Sequence, residues 1–374
     1  MAEQDQQLQS SPLESEIRRL IAAAGPMPVA EYMRLCLTDP RYGYYVTRDP
    51  LGAGGDFVTA PEITQMFGEL IGVWMASVWQ LMGAPENVRV IELGPGRGTL
   101  MTDALRAARV VPKFQAAVVL HLVEISPALR ELQQRQLEFF DLPMLWHGSL
   151  AEVPEGPCIV IANEFVDALP IDQAVKCADG WHQRVIDIRP DGQFGFGTAD
   201  RPLPKFETTL PPAVRDAPLG AIFEWRSSAF AFELGRRARA GSAALVLDYG
   251  PSRSGAGDTL QAVSGHAFAD PLEMPGDVDL TAHVDFETLG NTAESMGARV
   301  HGPVPQRDFL FRLGIHQRAA ALKARADPDK AIEIDLALSR LITGGPRGMG
   351  ELFKALAVAD PKLGPLPGFE KPKQ

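Results

Sequence analysis

Between residues 88 and 163 the chain repeats one pattern: a short, almost wholly apolar run, a polar turn, then a stretch with apolar positions three and four apart. The apolar runs are 88–93, 117–125, 144–147 and 157–163. Rich in Val and Ile and lacking strict alternation, they read as strands buried on both faces. The stretches 99–108 and 128–139 read as helices. Ser126-Pro127 caps and starts the second of these, and Pro112 breaks the chain after the first. Alternating strands and helices predict an α/β fold with a right-handed parallel sheet.

Upstream, 15–24 is an amphipathic helix stopped by Gly25-Pro26, and a second helix over 29–37 precedes the turn Thr38-Asp39-Pro40. Phe67, Leu70, Ile71, Trp74, Met75 and Val78 form a firm helical stripe that packs on a core. The glycine-rich segment 52–62, tied to that helix, is expected to lie over a site as a lid. Downstream, 173–176, 181–188 and 193–197 alternate apolar and polar residues around Asp179-Gly180 and Asp191-Gly192, which reads as hairpins. A helix over 227–240 leads to a strand at 243–250 that rejoins the sheet. Next come a polar-rich loop over 265–286, a helix from Asp285 to Met296 and an edge strand at 298–304. From Arg307 onward the pattern is mostly helical, with a disordered tail after Pro365. The layout expected is a helical N-terminal region with the lid (1–85), a sheet core (86–172 and 219–316), a β-rich insertion (173–218) and a helical C-terminal region with tail (317–374).

The composition narrows the function. A net charge of -11 with no sustained basic run argues against a nucleic-acid partner. Arg236, Arg237 and Arg239 read as one solvated helix face. Cys36, Cys158 and Cys177 are too few and scattered for a disulfide framework or structural zinc, which fits a reducing compartment. The first 13 residues carry Glu3 and Asp5 and no Arg, unlike a transit or secretory signal. The apolar window 63–82 is interrupted by Gln65, Glu69 and Gln80, so it reads as a buried helix rather than a membrane span.

The chemistry concentrates at the carboxyl ends of the strands, where open α/β sheets bind ligands. After the first strand, Gly94, Gly96 and Gly98 form a turn whose backbone a ligand can approach, since no Cβ intervenes. Glu92 adds a carboxylate at the same edge. Such a turn serves equally as an ordinary connection, a dinucleotide fingerprint or an S-adenosylmethionine (SAM) loop. Thr99 stands where the dinucleotide pattern needs its third glycine, and Glu124, ending the second strand, suits a pair of ribose hydroxyls. Together these favour SAM. At the end of the fourth strand Asn163, Glu164 and Asp167 are placed to touch substrate.

The motifs Ile91-Glu-Leu-Gly-Pro-Gly-Arg-Gly-Thr-Leu100, His121-Leu-Val-Glu-Ile-Ser126, Asn163-Glu-Phe-Val-Asp-Ala-Leu-Pro170 and Asp279-Leu-Thr-Ala-His-Val-Asp-Phe286 resemble the MidA family. So do Gly55-Asp-Phe-Val-Thr-Ala-Pro-Glu62 and Phe67-Gly-Glu-Leu-Ile-Gly72. The family comprises SAM-dependent methyltransferases related to the mitochondrial complex I assembly factor that methylates a protein arginine. The resemblance runs from about residue 30 to 358. It implies a class I, Rossmann-like methyltransferase fold, SAM as donor and S-adenosylhomocysteine (SAH) as product. It further implies symmetric dimethylation of an arginine in the 49-kDa-type subunit of NADH:ubiquinone oxidoreductase. For this chain a bacterial cytoplasmic location is expected, against the mitochondrial matrix for the eukaryotic branch. The expected cofactor contacts are Glu92, Gly94, Gly96, Gly98, Glu124, Ile125, Ser149 and Leu150. A protonated guanidinium needs carboxylates in fork geometry; Glu164 and Asp167 come first, with Glu62 from the lid third. Asn163 can hold acceptor or donor, and His283 is a candidate base late in transfer. Two rival readings are a small-molecule methyltransferase and an assembly protein that keeps SAM without turnover.

Overall fold

The computed structural model describes residues 11–48, 59–265, 267–345 and 348–370. They fall into two compact units. The larger comprises Leu51–Ala168, Ser227–Ser254 and His283–Gln374; the smaller comprises Met1–Pro50, Leu169–Arg226 and Gly255–Ala282.

The larger unit is built on a seven-stranded sheet. Its strands in chain order are β1 (Val88–Leu93), β2 (Val118–Val123), β3 (Met144–His147), β4 (Cys158–Asn163), β5 (Ala243–Tyr249), β6 (Arg299–Pro305) and β7 (Phe353–Ala359). The spatial order is β6-β7-β5-β4-β1-β2-β3. The neighbours from β3 through β5 are parallel, and β7 runs antiparallel to both β5 and β6. The strand order reverses between β1 and β4, so a crevice opens at their carboxyl ends. β1, β2, β4 and β5 are buried almost throughout, as their unbroken apolar runs require.

The helix Gln65–Leu81 buries its apolar stripe against the helix Thr99–Ala108. A Cβ on Gly72 would lie 2.1 Å from the carbonyl oxygen of Ala104, and one on Gly68 would lie 2.7 Å from the Cβ of Asp103. The two backbones therefore meet at glycine distance, which fixes the helix that begins at the glycine turn.

In the smaller unit the alternating segments form Ile171–Cys177, Gly180–Ile188 and Phe194–Pro202. They belong to a five-stranded antiparallel sheet completed by Met27–Pro28 and Ile222–Arg226. Trp181, Phe223, Leu210 and Val214 pack beside it. Residues 11–48 thus group with the hairpins, where a grouping with the chain up to residue 85 was expected. A two-residue strand carries no period by which sequence can announce its partner.

Four further expectations change. The C-terminal region is not all helical: after Pro328–Ile342 the chain enters β7, fully buried from Ala355 to Ala359. Its alanines Ala355, Ala357 and Ala359 share one face and pack into the main core, but they signal no strand. The tail beyond Pro365 is ordered as far as residue 370. Leu366 is buried, Phe369 packs on Phe309, and the Trp74 indole donates to the carbonyl of Pro367 at 3.1 Å. The loop at 265–286 holds the strands Ala267–Ala269 and Asp279–Thr281, paired through Gln261–Ser264. Finally, Pro112 starts a short helix, Pro112–Ala117, rather than only ending one. The expected lid over 52–62 lies outside the described residues up to 58; from Thr59 onward the chain forms the short helix Ala60–Ile63.

Candidate active site

β1 ends at Leu93, and the chain turns through Gly94, Gly96 and Gly98 at φ of 60°, 54° and 84°. This left-handed backbone explains the glycines, but the space their missing side chains leave is not all for a ligand. A Cβ on Gly94 would sit 2.9 Å from Cδ2 of Phe165, so that face is covered by an aromatic ring from the β4 loop. A Cβ on Gly98 would meet Gln133 and Leu137 of the helix Pro127–Leu137.

Gln133 has no solvent exposure and no sequence signal marked it. Its Nε2 donates to the carbonyl of Gly96 at 2.7 Å and to Oε2 of Glu124 at 3.2 Å, while its Oε1 accepts from the Trp146 indole at 2.8 Å. One amide therefore ties the glycine turn to the acid of the second strand. Glu124 also accepts from the backbone N–H of Ser126 at 2.8 Å. Burial raises its carboxyl above the usual range, against these donors. Ile125, next in the chain, is 40% exposed despite being apolar. After β3, Ser149 donates to Glu152 and Leu150 is buried as the first residue of a single 3-10 turn.

Glu92 is the sharpest feature of this edge. It is buried, and its Oε2 has no hydrogen-bond partner. Burial alone pushes its carboxyl up to about 8. An orphaned buried oxygen costs free energy unless something donates to it, so a ligand bearing a donor or a positive charge would fit here. SAM carries an α-ammonium and a sulfonium, and its ribose offers hydroxyl donors; the acids Glu92 and Glu124 and the turn suit that donor set.

On the other side of the crevice, Glu164 sits at φ of 48°, an uncommon backbone for a residue with a side chain. Its Oε1 accepts from the backbone N–H of Ala60 at 2.9 Å and from Nδ2 of Asn163 at 3.2 Å. Burial, helped by the neighbouring Asp167, raises its carboxyl to about 7. Asp167 is buried and accepts from the N–H of Ala168. Glu62 accepts from the Thr99 hydroxyl at 2.6 Å, so this carboxylate is held at the start of the helix that follows the glycine turn. The helix Ala60–Ile63 thus bridges both halves of the crevice: Ala60 touches the β4 loop and Glu62 the β1 turn. His283 lies edge-on to the Tyr249 ring, 5.5 Å between centroids, at the carboxyl end of β5. No spacing in the sequence joins Gln133 or Asp248 to this place; only the fold does.

A SAM-dependent methyltransferase is the class of protein that this sheet order and these strand ends define. The corresponding family, described as S-adenosyl-L-methionine-dependent methyltransferases, matches residues 70–304, and the chain belongs to it. The protein arginine methyltransferase NDUFAF7, mitochondrial, of Danio rerio is 38% identical over 367 residues, covering 90% of this chain and 84% of that protein. The Homo sapiens protein of the same name is 34% identical over 378 residues, covering 93% and 83%. Among solved structures, a COG1565 superfamily protein from Burkholderia thailandensis bound to S-adenosyl-homocysteine superposes with a TM-score of 0.79 at 28% identity. That match covers 96% of this chain and 92% of that one. This protein is therefore an enzyme that uses SAM as methyl donor. Among the described residues no helix is long and apolar enough to cross a membrane.

Proposed function

We propose that the methyl acceptor is an arginine side chain of a protein, with the 49-kDa-type subunit of NADH:ubiquinone oxidoreductase as the substrate. The reading places the enzyme in the bacterial cytoplasm, where such a subunit would be met during assembly. The observation that carries it is the pair of acids Glu164 and Asp167 on a β4 loop whose Phe165 ring rests on the donor turn. The names of the relatives, protein arginine methyltransferases, support the same acceptor.

Bound SAM supplies an electrophilic methyl on a sulfonium; the chain has to bind, align and desolvate the partners. Glu92, Gly94, Gly96, Gly98, Glu124, Ile125, Ser149 and Leu150 make up the donor side. Glu164 and Asp167 clamp the guanidinium, Asn163 steadies Glu164, Glu62 closes over the turn, and His283 accepts a proton late in transfer. A guanidinium beside Glu164 draws its carboxyl below about 7, so binding the acceptor releases a proton.

Two measurements check this. Glu124→Ala should weaken SAH binding by about 10- to 150-fold, the loss of charged hydrogen bonds; calorimetry giving an unchanged affinity would remove Glu124 from the site. Mass spectrometry of the NADH dehydrogenase subunits should find a dimethyl-arginine in wild-type cells, absent from a deletion strain and restored by the wild-type gene. Identical methylation in both strains would discard this substrate. Label from SAM appearing only in small molecules of a lysate would point to a small-molecule acceptor.

A further inference from the structure

The β4 loop owes its shape to a residue on the neighbouring strand. β5 pairs with β4 in parallel register, Leu247 opposite Asn163, and the N–H of Glu164 makes the last bond of that ladder to the carbonyl of Leu247 at 2.8 Å. Directly beyond it the backbone enters the left-handed turn at Glu164. The three successive N–H groups of Phe165, Val166 and Asp167 then converge on one oxygen, Oδ2 of Asp248, at 3.2, 2.9 and 3.2 Å. Oδ1 accepts from the N–H of Tyr249 at 2.9 Å. Asp248 has no solvent exposure.

We infer that Asp248 is the positioning residue of the acceptor site: its carboxylate folds the segment 165–167 around itself, which aims Glu164 at the acceptor and lays Phe165 on the donor turn. The inference rests on the proposal that Glu164 meets the acceptor. Helices and strands satisfy their own backbone donors; this segment belongs to neither, and without Asp248 it would bury three N–H groups with nothing to accept them. A carboxyl suits the place because both its oxygens accept backbone N–H groups; burial and the nearby Asp167 raise it well above the usual carboxylate range, against those donors. Asparagine can turn its oxygen to the three loop amides only by presenting its NH2 to the N–H of Tyr249, a donor against a donor. The same turn that satisfies Asp248 holds Glu164 at its unusual φ, and Phe165 follows in the chain. The distance between donor turn and acceptor carboxylate is thus set from β5 through backbone bonds, without Asp248 touching either substrate.

The test begins with the wild-type protein and SAH. Hydrogen exchange resolved to single amides should show Phe165, Val166 and Asp167 protected although they lie outside regular structure. Exchange as fast as in an open loop would overturn the inference at once, whatever variants do. In Asp248→Asn these amides should exchange about tenfold or more faster, as expected when charged hydrogen bonds are weakened. SAH affinity should stay within about twofold, because the bonds of Gln133 and Glu124 are untouched. With an arginine-bearing peptide, kcat should fall about tenfold or more, and Asp248→Ala should fall further than Asp248→Asn. Protection unchanged in Asp248→Asn, or SAH affinity lost in step with kcat, would show Asp248 to be ordinary packing. A wild-type enzyme idle on every arginine peptide would sink the arginine reading instead, and the exchange data would still decide the role of Asp248.

Discussion

Glu164→Gln is expected to lower methyl transfer by about 100-fold or more while leaving SAH affinity within about twofold. The amide keeps the size of the side chain and can still accept from the N–H of Ala60, so the loop holds. What it loses is the charge that would pair with a buried guanidinium, and an unpaired buried charge costs about 3–5 kcal/mol. The wild-type pH profile carries the same signature. With the carboxyl raised to about 7, kcat/KM should climb with pH up to about 7 and then level off, because only the ionised form clamps the acceptor. In Glu164→Gln that limb should vanish. The stability effect has the opposite sign. A carboxyl whose folded value lies above its unfolded value of 4.5 favours folding most at low pH and loses that advantage as pH rises from 4.5 through about 7. At pH 8 the free wild-type protein therefore carries a penalty of up to about 3 kcal/mol that Glu164→Gln lacks. The variant should melt higher at pH 8 and about equally at pH 4. A variant that retains full turnover would take Glu164 out of the acceptor site; one that melts no higher at pH 8 would show that burial does not raise this carboxyl.

SAH binding is expected to tighten strongly with pH through Glu92. In the free protein this carboxyl, raised to about 8 by burial, is protonated at neutral pH. A ligand that brings its ammonium to the orphaned oxygen stabilises the ionised form, so a proton must leave on binding. Affinity should rise by up to about tenfold per pH unit between pH 6 and 8, and flatten above. Calorimetry in buffers of different ionisation enthalpy should register close to one proton released at pH 6.5. Glu92→Gln should bind SAH with no such slope and no proton release. A wild-type affinity flat from pH 6 to 8 would mean that Glu92 stays protonated and serves the ligand as a donor.

Much of this was legible in the chain. The runs at 88–93, 144–147 and 157–163 become strands at almost those bounds; the first and last are almost wholly apolar because they are buried on both faces. The turn glycines appear as glycines because their backbone is left-handed. Acids at the ends of three such runs placed Glu92, Glu124 and Glu164 at one edge before any coordinates, since parallel strands all end on the same side. β7 was not legible: seven residues rich in alanine look like helix, and only pairing with β5 on one side and β6 on the other makes them a strand. The partners of Met27 and Pro28, Ile186 and Val185, 159 and 157 positions away, were beyond any local period.

Which residues end strands and turns could be read locally, since burial and left-handed backbone leave their mark residue by residue. What those residues meet depends on how the elements assemble. Gly94 spares room for Phe165, Gln133 joins the turn to Glu124, Ala60 reaches Glu164, and Asp248 gathers the amides of the β4 loop. Each of these contacts spans between 9 and 104 positions of chain. A hydrogen bond or a ring contact at such separation follows from the order of strands in the sheet, which no local pattern of apolar and polar residues encodes.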